Sequence, residues 1–331
     1  MSVYTPEPAD QSAPAIAWAC DKCREVVSAV GTVIVGKDEQ LELILTTLVS
    51  NGHLLLEDVP GVAKTLAAQA TAQALGLDFR RIQFVPDLLP GDIMGSFIYD
   101  SRADSFRFRR GPIFTNLILA DEINRGTPKT QSALLEAMQE QQVTVEGQSF
   151  ALDKPFMVIA TQNPLEFEGT YPLPEAQIDR FLARLSMGYP SPEAECEMLA
   201  RRQSRQADAV ILSPVLSKQD FLEIQRAIET VHVNPDIHNY IVQIVTKTRV
   251  DRRVQLRASP RGSLALFKLS RSRAMMQGRD FVTPDDVKAV AVPALAHRVL
   301  LRPELWAERI SGETVVRDAL DDVPVPKAEW R

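Results

Sequence analysis

Lys64 and Thr65 close the phosphate-loop part of "HLLLEDVPGVAKTLAAQA", residues 53–70, and together they offer what a bound triphosphate needs. The ammonium can reach the β- and γ-phosphates, and the hydroxyl can hold Mg²⁺. The stretch approaches the pattern G-x-x-x-x-G-K-[ST] between a strand and a helix, but Asp58 and Ala63 replace its two glycines. Pro60 and Gly61 can form the tight turn. Val62, Ala63 and Leu66 complete a run of backbone N–H groups at a helix N-terminus, where anions bind. Ala63 adds only a methyl group beside the phosphates. A second element, "LILADE", runs an apolar strand into Asp121 and Glu122. Asp121 can hold Mg²⁺, directly or through water, and Glu122 can orient and activate the water that attacks the γ-phosphate. Alone, each element has a plain structural explanation: a loop lysine before a helix, or solvated acids after a strand. Together, each closing an apolar strand, they read as a working ATP site.

Other polar residues carry less. Asn163 in "ATQNP" ends a further apolar strand; its amide can serve a phosphate and a water, or simply form the turn before Pro164. Arg261 lies two residues after the cap Ser259, in a first helical turn where the macrodipole disfavours cations. A fixed anion such as a γ-phosphate would offset that cost; the plain alternative is a surface arginine pointing into water. Cys20 and Cys23 form a C-x-x-C without a second ligand pair or a preceding strand, so they read as one face of an amphipathic helix. The four histidines lack metal-ligand spacing, and Trp18, Trp306 and Trp330 are too scattered to form a stacking platform.

The elements that position these groups follow from hydrophobic patterning. Residues 1–14 are polar and proline-rich, an expected flexible arm. From 15 to 200, "HLLLE", "FRRIQF", "LILADE", "FMVIATQ" and "LARLSM" alternate with helical patterns, which predicts a parallel α/β core with crossover helices. "GSFIYDSRADSFRFRRG" and "EQQVTVEGQSFALDKPF" alternate about polar turns and read as two hairpins. Residues 201–331 read as an all-helical second domain after a linker within 190–215. Its helices start at Ser217 (with Asp220 three residues on), Asn234–Pro235, Ser259–Pro260 and Thr283–Pro284, and Gly278 ends one of them. The net charge of −6 argues against non-specific nucleic-acid binding. No apolar run approaches the length of a membrane helix, and three cysteines cannot build a disulfide framework, so a cytoplasmic protein is expected.

Six ordered stretches extend the pattern: "VGKDEQ" (35–40), "LLLEDVPGVAKT" (54–65), "RIQFVPDLLPGDIMG" (81–95), "FRRGPIFTNLILADEINRGTPKTQSALLEAMQE" (108–140), "ATQNPLEFEGTYPLPEAQIDRF" (160–181) and "ASPRG" (258–262). On these the chain resembles the MoxR family of AAA+ ATPases, in the branch with an insertion in the second helix. The family loop often departs from strict glycines in this way. The resemblance implies an AAA+ core with a five-stranded parallel sheet, helices on both faces and a C-terminal helical lid. It implies ATP and Mg²⁺ as ligands, adenine contacts from Val35 and Gly36, and a polar sensor at Asn163. Arg180 matches the arginine finger that reaches a neighbouring subunit's nucleotide, although a cation at a helix C-terminus is an ordinary feature too. Arg261 matches the second sensor arginine, which links the lid to bound ATP. A hexameric ring is implied, with hairpins facing the pore, protein clients, and a partner bearing a von Willebrand factor A domain. Expected functions are chaperone-like remodelling or maturation of protein complexes. The competing readings are a chelatase-type motor subunit, a nucleic-acid motor of the same branch, and a nucleotide-gated scaffold with little turnover.

Overall fold

The structure is a computed structural model that describes residues 12–164, 169–207, 210–308 and 310–327. Most of the expected arm (1–11) and Trp330 lie outside these residues. Helix α1 (Ser12–Gly31) already begins at Ser12, so the arm is shorter than its polar composition suggested. Helix α2 (Asp38–Val49) leads into β1 (Leu54–Glu57), and α3 (Lys64–Ala74) returns to β2 (Phe79–Gln83). A short α4 (Pro90–Met94) precedes the first hairpin, β3 (Gly95–Asp100) with β4 (Ser105–Arg110). Then come β5 (Leu117–Asp121), α5 (Pro128–Glu140) and the second hairpin, β6 (Gln142–Val145) with β7 (Gln148–Ala151). The core closes with β8 (Met157–Gln162), α6 (Glu175–Ile178) and β9 (Ala183–Leu185).

The expected five strands pair in the order β2-β5-β8-β1-β9, all parallel. Strand alternation divides their side chains between two faces. Leu54, Leu56, Leu117, Leu119, Met157 and Ile159 face α1, α2 and α3. Leu55, Ile118, Ala120, Val158 and Ala160 instead pack with Leu134, Leu135 and Met138 of α5. Burial on both faces explains the nearly continuous apolar runs of these strands. On the second face, Phe108 of the first hairpin stacks on Phe150 of the second, with centroids 4.1 Å apart. Phe97 packs against both rings, so the two hairpins form one unit. Tyr99 and Phe106 form a cross-strand pair that stays exposed, Phe106 to 71%.

The C-terminal part contains α7 (Pro192–Arg205), α8 (Lys218–Glu229), α9 (Pro235–Val250), β10 (Val254–Leu256), α10 (Pro260–Met276), α11 (Pro284–Leu295), β11 (Leu300–Leu301) and α12 (Gly312–Asp322). All four expected starts are helix starts: Ser217, Asn234 and Ser259 accept from first-turn N–H groups, and at Thr283 the Asp286 carboxylate accepts from the Thr283 N–H and hydroxyl. Gly278, at φ +72°, ends α10. Two expectations change. The boundary at residue 200 falls inside α7, which Ser191 caps by accepting from the Ala194 N–H at 3.2 Å. The region is also not wholly helical, because β10 and β11 pair antiparallel. Helix α1 bridges the two parts, packing on α2 and α3 and also on α8 and α10. Cys20 and Cys23 are buried on that helix, where desolvation pushes the Cys23 thiol up to about 12, so they are structural. Among the described residues no helix is long and apolar enough to cross a membrane.

Candidate active site

The loop and the carboxylates meet at the C-terminal ends of the parallel strands, where α/β sheets bind ligands. Strand β8 lies between β1, which leads into the loop, and β5, which ends in Asp121. Thr65 Oγ1 donates to Asp121 Oδ2 at 3.3 Å across that strand. Thr161, on β8, donates to Asp121 Oδ1 at 2.6 Å and accepts from the Glu122 N–H at 2.8 Å. Asn163 immediately follows that strand and is 7% exposed, with its carbonyl accepting from Asn124 Nδ2 at 3.4 Å. Lys64, Thr65, Asp121, Glu122 and Asn163 therefore share one end of the sheet.

The two missing glycines have different explanations. Ala63 caps α3 in the left-handed region at φ 60°, ψ 21°, so it adopts the conformation a glycine would favour there. An alanine held there costs about 1 kcal/mol, a strain that binding elements often store. Asp58 turns away from the phosphate side of the loop. Its carboxylate accepts from the Val59 N–H at 2.9 Å, the Ser186 hydroxyl at 2.9 Å and the Gly188 N–H at 2.7 Å. Burial pushes this carboxyl up, but those hydrogen bonds and the Lys64 charge outweigh it and hold its pKa below the usual value. Lys64 Nζ donates to the Asp58 carbonyl at 2.6 Å. Asp58 thus ties the loop to the segment after β9. Gly36 belongs to the same junction: a Cβ built there would lie 2.7 Å from that of Ala194. Lys37, beside it, donates to the Tyr189 carbonyl at 2.8 Å. Val35 and Gly36 therefore sit where the chain before α2 meets the start of α7.

Sequence reading missed the groups that hold the carboxylates. Arg81 and Gln83 project from β2, the strand paired with β5. Arg81 contacts Asp121 Oδ2 through Nε at 2.9 Å and through Nη2 at 2.7 Å. Gln83 Nε2 and Arg125 Nη1 donate to Glu122 Oε2 at 2.6 and 3.0 Å. Their spacing, two polar residues at i and i+2 on a strand edge, was a visible signal, but their partners depend on cross-strand register.

Arg180 and Arg261 lie elsewhere. They line a pocket with His53, Gln139, Lys268 and Arg298. His53 immediately precedes β1, so this pocket is at the N-terminal end of the strands, opposite the loop. Four strand residues span about 13 Å. Arg180 Nη1 donates to the Leu135 carbonyl at 2.6 Å, and Arg261 Nη2 reaches Gln139 Oε1 at 3.5 Å. Helix α10, which carries Arg261, starts beside Asp179, where Ser259 donates to the Asp179 carboxylate at 2.9 Å.

His53 also makes stability pH-dependent. Its Nδ1 accepts from the Val158 N–H at 3.0 Å, leaving the proton on Nε2 for the Met138 carbonyl at 3.1 Å. Burial, opposed by the Met138 hydrogen bond and aided by the Lys268 charge, lowers its pKa to about 4. Between that value and the unfolded value of 6.5 the unfolded chain binds a proton that the fold excludes. Stability present above this window is therefore lost as pH falls through it. His297 is shifted in the same direction, by burial first and then by the Arg298 charge. On denaturant titration at pH 7 and pH 5, the parent is expected to lose about 2 kcal/mol more than His53→Gln. Equal losses would contradict a buried neutral His53.

Comparison with known proteins agrees with this fold. A model of the ATPase family associated with various cellular activities (AAA) matches residues 53–183, and a model of the AAA lid domain matches residues 246–319. The chain is 50% identical over 302 residues to the uncharacterized protein YeaC of Bacillus subtilis, covering 91% of this chain and 94% of that protein. It is 45% identical over 307 residues to Chaperone MoxR1 of Mycobacterium tuberculosis, covering 90% of this chain and 81% of that one. A crystal structure from Cytophaga hutchinsonii, provisionally described as an ATPase, matches with a TM-score of 0.88 at 40% identity, covering 95% of this chain and 98% of that one. Identity at this level over nine-tenths of the sequence, on a core and lid of this topology, establishes that the chain belongs to the MoxR family of AAA+ ATPases.

Proposed function

We propose that the chain is a Mg²⁺-dependent ATPase that works as a closed ring, taken as a hexamer from its family resemblance, and remodels or matures protein complexes. The observation that carries this reading is the division of its cationic and carboxylate groups between the two ends of one short sheet. Lys64, Thr65, Asp121 and Glu122 occupy one end, and Arg180 with Arg261 the other. In this arrangement neither arginine reaches its own loop, so the site is completed by the next subunit in a head-to-tail contact. Such contacts close into rings when the rotation permits.

Lys64 leaves the Asp58 carbonyl for the β- and γ-phosphates, and the α3 N-terminus supplies N–H groups to them. Thr65 Oγ1 and Asp121 Oδ2 are hard oxygen donors suited to Mg²⁺, which when bound would neutralise phosphate charge. Glu122, held by Gln83 and Arg125, accepts the proton of the attacking water, and Asn163 helps orient it. The neighbour's arginines stabilise charge developing on the transferred phosphoryl group. Lys64→Ala is expected to abolish tight ATP binding, and near-parent affinity by calorimetry would contradict the loop assignment.

The hairpin unit, with Tyr99 and Phe106 exposed, suits contact with a protein client, and the chaperone name of the Mycobacterium tuberculosis relative favours that role. We place the protein in the cytoplasm with a von Willebrand factor A domain partner on family resemblance. The test of the shared site is specific activity against protein concentration, with assembly followed by sedimentation. Activity per subunit is expected to rise with assembly and then level off. Full activity at concentrations where sedimentation finds monomer would contradict the reading.

A further inference from the structure

One carboxylate, that of Asp179, joins two parts of the lid to the segment carrying Arg180. Its Oδ1 accepts from Arg298 Nε at 2.8 Å, and its Oδ2 accepts from Ser259 Oγ at 2.9 Å. Arg298 has a side chain only 3% exposed, and its other N–H groups close on the same backbone. They reach the carbonyls of Phe181 at 2.7 Å, Asp179 at 3.1 Å and Leu182 at 3.3 Å, as well as that of Ala294 in α11. Ser259 is the N-cap of α10, and its oxygen accepts from the Arg261 N–H at 3.1 Å. Arg180 is therefore one residue, and Arg261 two residues, from an atom fixed to Asp179.

Stability alone is a weak reason for such a device. Desolvation offsets most of the attraction in a buried ion pair, and a well-packed apolar replacement is often as stable. What the pair does supply is geometry. The lid cannot tilt at this junction without separating Asp179 from Ser259 or Arg298, so the half-buried Arg180 and the exposed Arg261 approach or leave a ligand together.

We infer that Asp179, through Arg298 and Ser259, is a positioning residue that sets Arg180 and Arg261 as one unit for a phosphate group on the neighbouring subunit's nucleotide. The inference rests on the reading in which those arginines act across the subunit interface. A transferring phosphoryl group spreads charge over its oxygens, and preorganised donors stabilise it far better than donors that must first be ordered.

Asp179→Asn keeps the size and one acceptor oxygen but removes the charge. Ser259→Gly removes the hydroxymethyl side chain, and with it the bond to Asp179, and leaves a residue acceptable at a helix start. Asp179→Asn is expected to lower kcat by about 10- to 100-fold, the cost of ångström-scale misplacement. Ser259→Gly is expected to lower it several-fold, with ATP affinity by calorimetry within about twofold of parent in both, because the loop is untouched. In a background already carrying Arg180→Ala and Arg261→Ala, Asp179→Asn is expected to lower kcat no further, since it acts only through them. Parent rates for both Asp179→Asn and Ser259→Gly, beside an impaired Arg180→Ala, would overturn the inference and leave the shared site standing. An undiminished additional loss in the double-variant background would overturn it too, by showing a separate structural role. A parent rate for Arg180→Ala would instead remove the shared-site reading itself. If Asp179→Asn does not fold, the Ser259→Gly rate and affinity decide the matter.

Discussion

Glu122→Gln is expected to bind ATP with parent affinity and to hydrolyse it about 10²- to 10⁴-fold more slowly, the range a positioned general base contributes. The amide keeps the shape of the side chain, so the loop and Asp121 are undisturbed. It cannot take a proton from water. It can still accept the Gln83 and Arg125 hydrogen bonds through its oxygen, which in the parent are 2.6 and 3.0 Å long. Binding and turnover are therefore separable at this position, whereas Lys64→Ala loses both. Calorimetry with single-turnover hydrolysis checks the pair of expectations. Retained turnover would assign the water to another residue.

Arg180→Ala is expected to bind ATP normally yet lose hydrolysis by about 10³-fold even at concentrations that saturate assembly, the size of effect seen for arginines that stabilise transferring phosphate. Arg261→Ala is expected to fall in the same direction, because both side chains line one pocket. The alternative for Arg180, a cation that merely favours a helix end, predicts a small stability change and no kinetic one. If Arg261 instead served its own chain's ATP, its loss would weaken ATP binding by a monomeric chain. The pocket's place at the far end of β1 argues against that.

Much of the fold is legible in the sequence. Strands buried on both faces leave apolar runs too long to mistake, and serine, threonine or asparagine before proline marks helix starts whatever the tertiary context. The loop and the Asp121–Glu122 pair were legible because their chemistry is carried by neighbours in sequence. Other features are set by contacts between distant segments. Asp58 looked like a defect in a glycine pattern, and its function as an anchor depends on Ser186 and Gly188. Arg81 and Gln83 acquire partners only through pairing with β5. Arg261 stands out in the sequence as a cation in a first helical turn, but what it faces depends on where Asp179 and Ser259 dock the lid. Helix α7 carried the same serine–proline start as α10, yet only Ala194 is buried along it, and so polar a helix resembles a linker. Strands β10 and β11, with three and two residues, are too short to show alternation.

The most direct measurement is ATP hydrolysis by a mixture of Lys64→Ala and Arg180→Ala subunits, with subunit exchange followed independently by fluorescence. Neither variant is expected to turn over ATP alone. In mixed assemblies some interfaces join an intact loop from an Arg180→Ala subunit to the intact arginine of a Lys64→Ala neighbour. The shared site predicts that activity returns on mixing and is greatest near equal proportions. Demonstrated exchange with no return of activity at any ratio would contradict it.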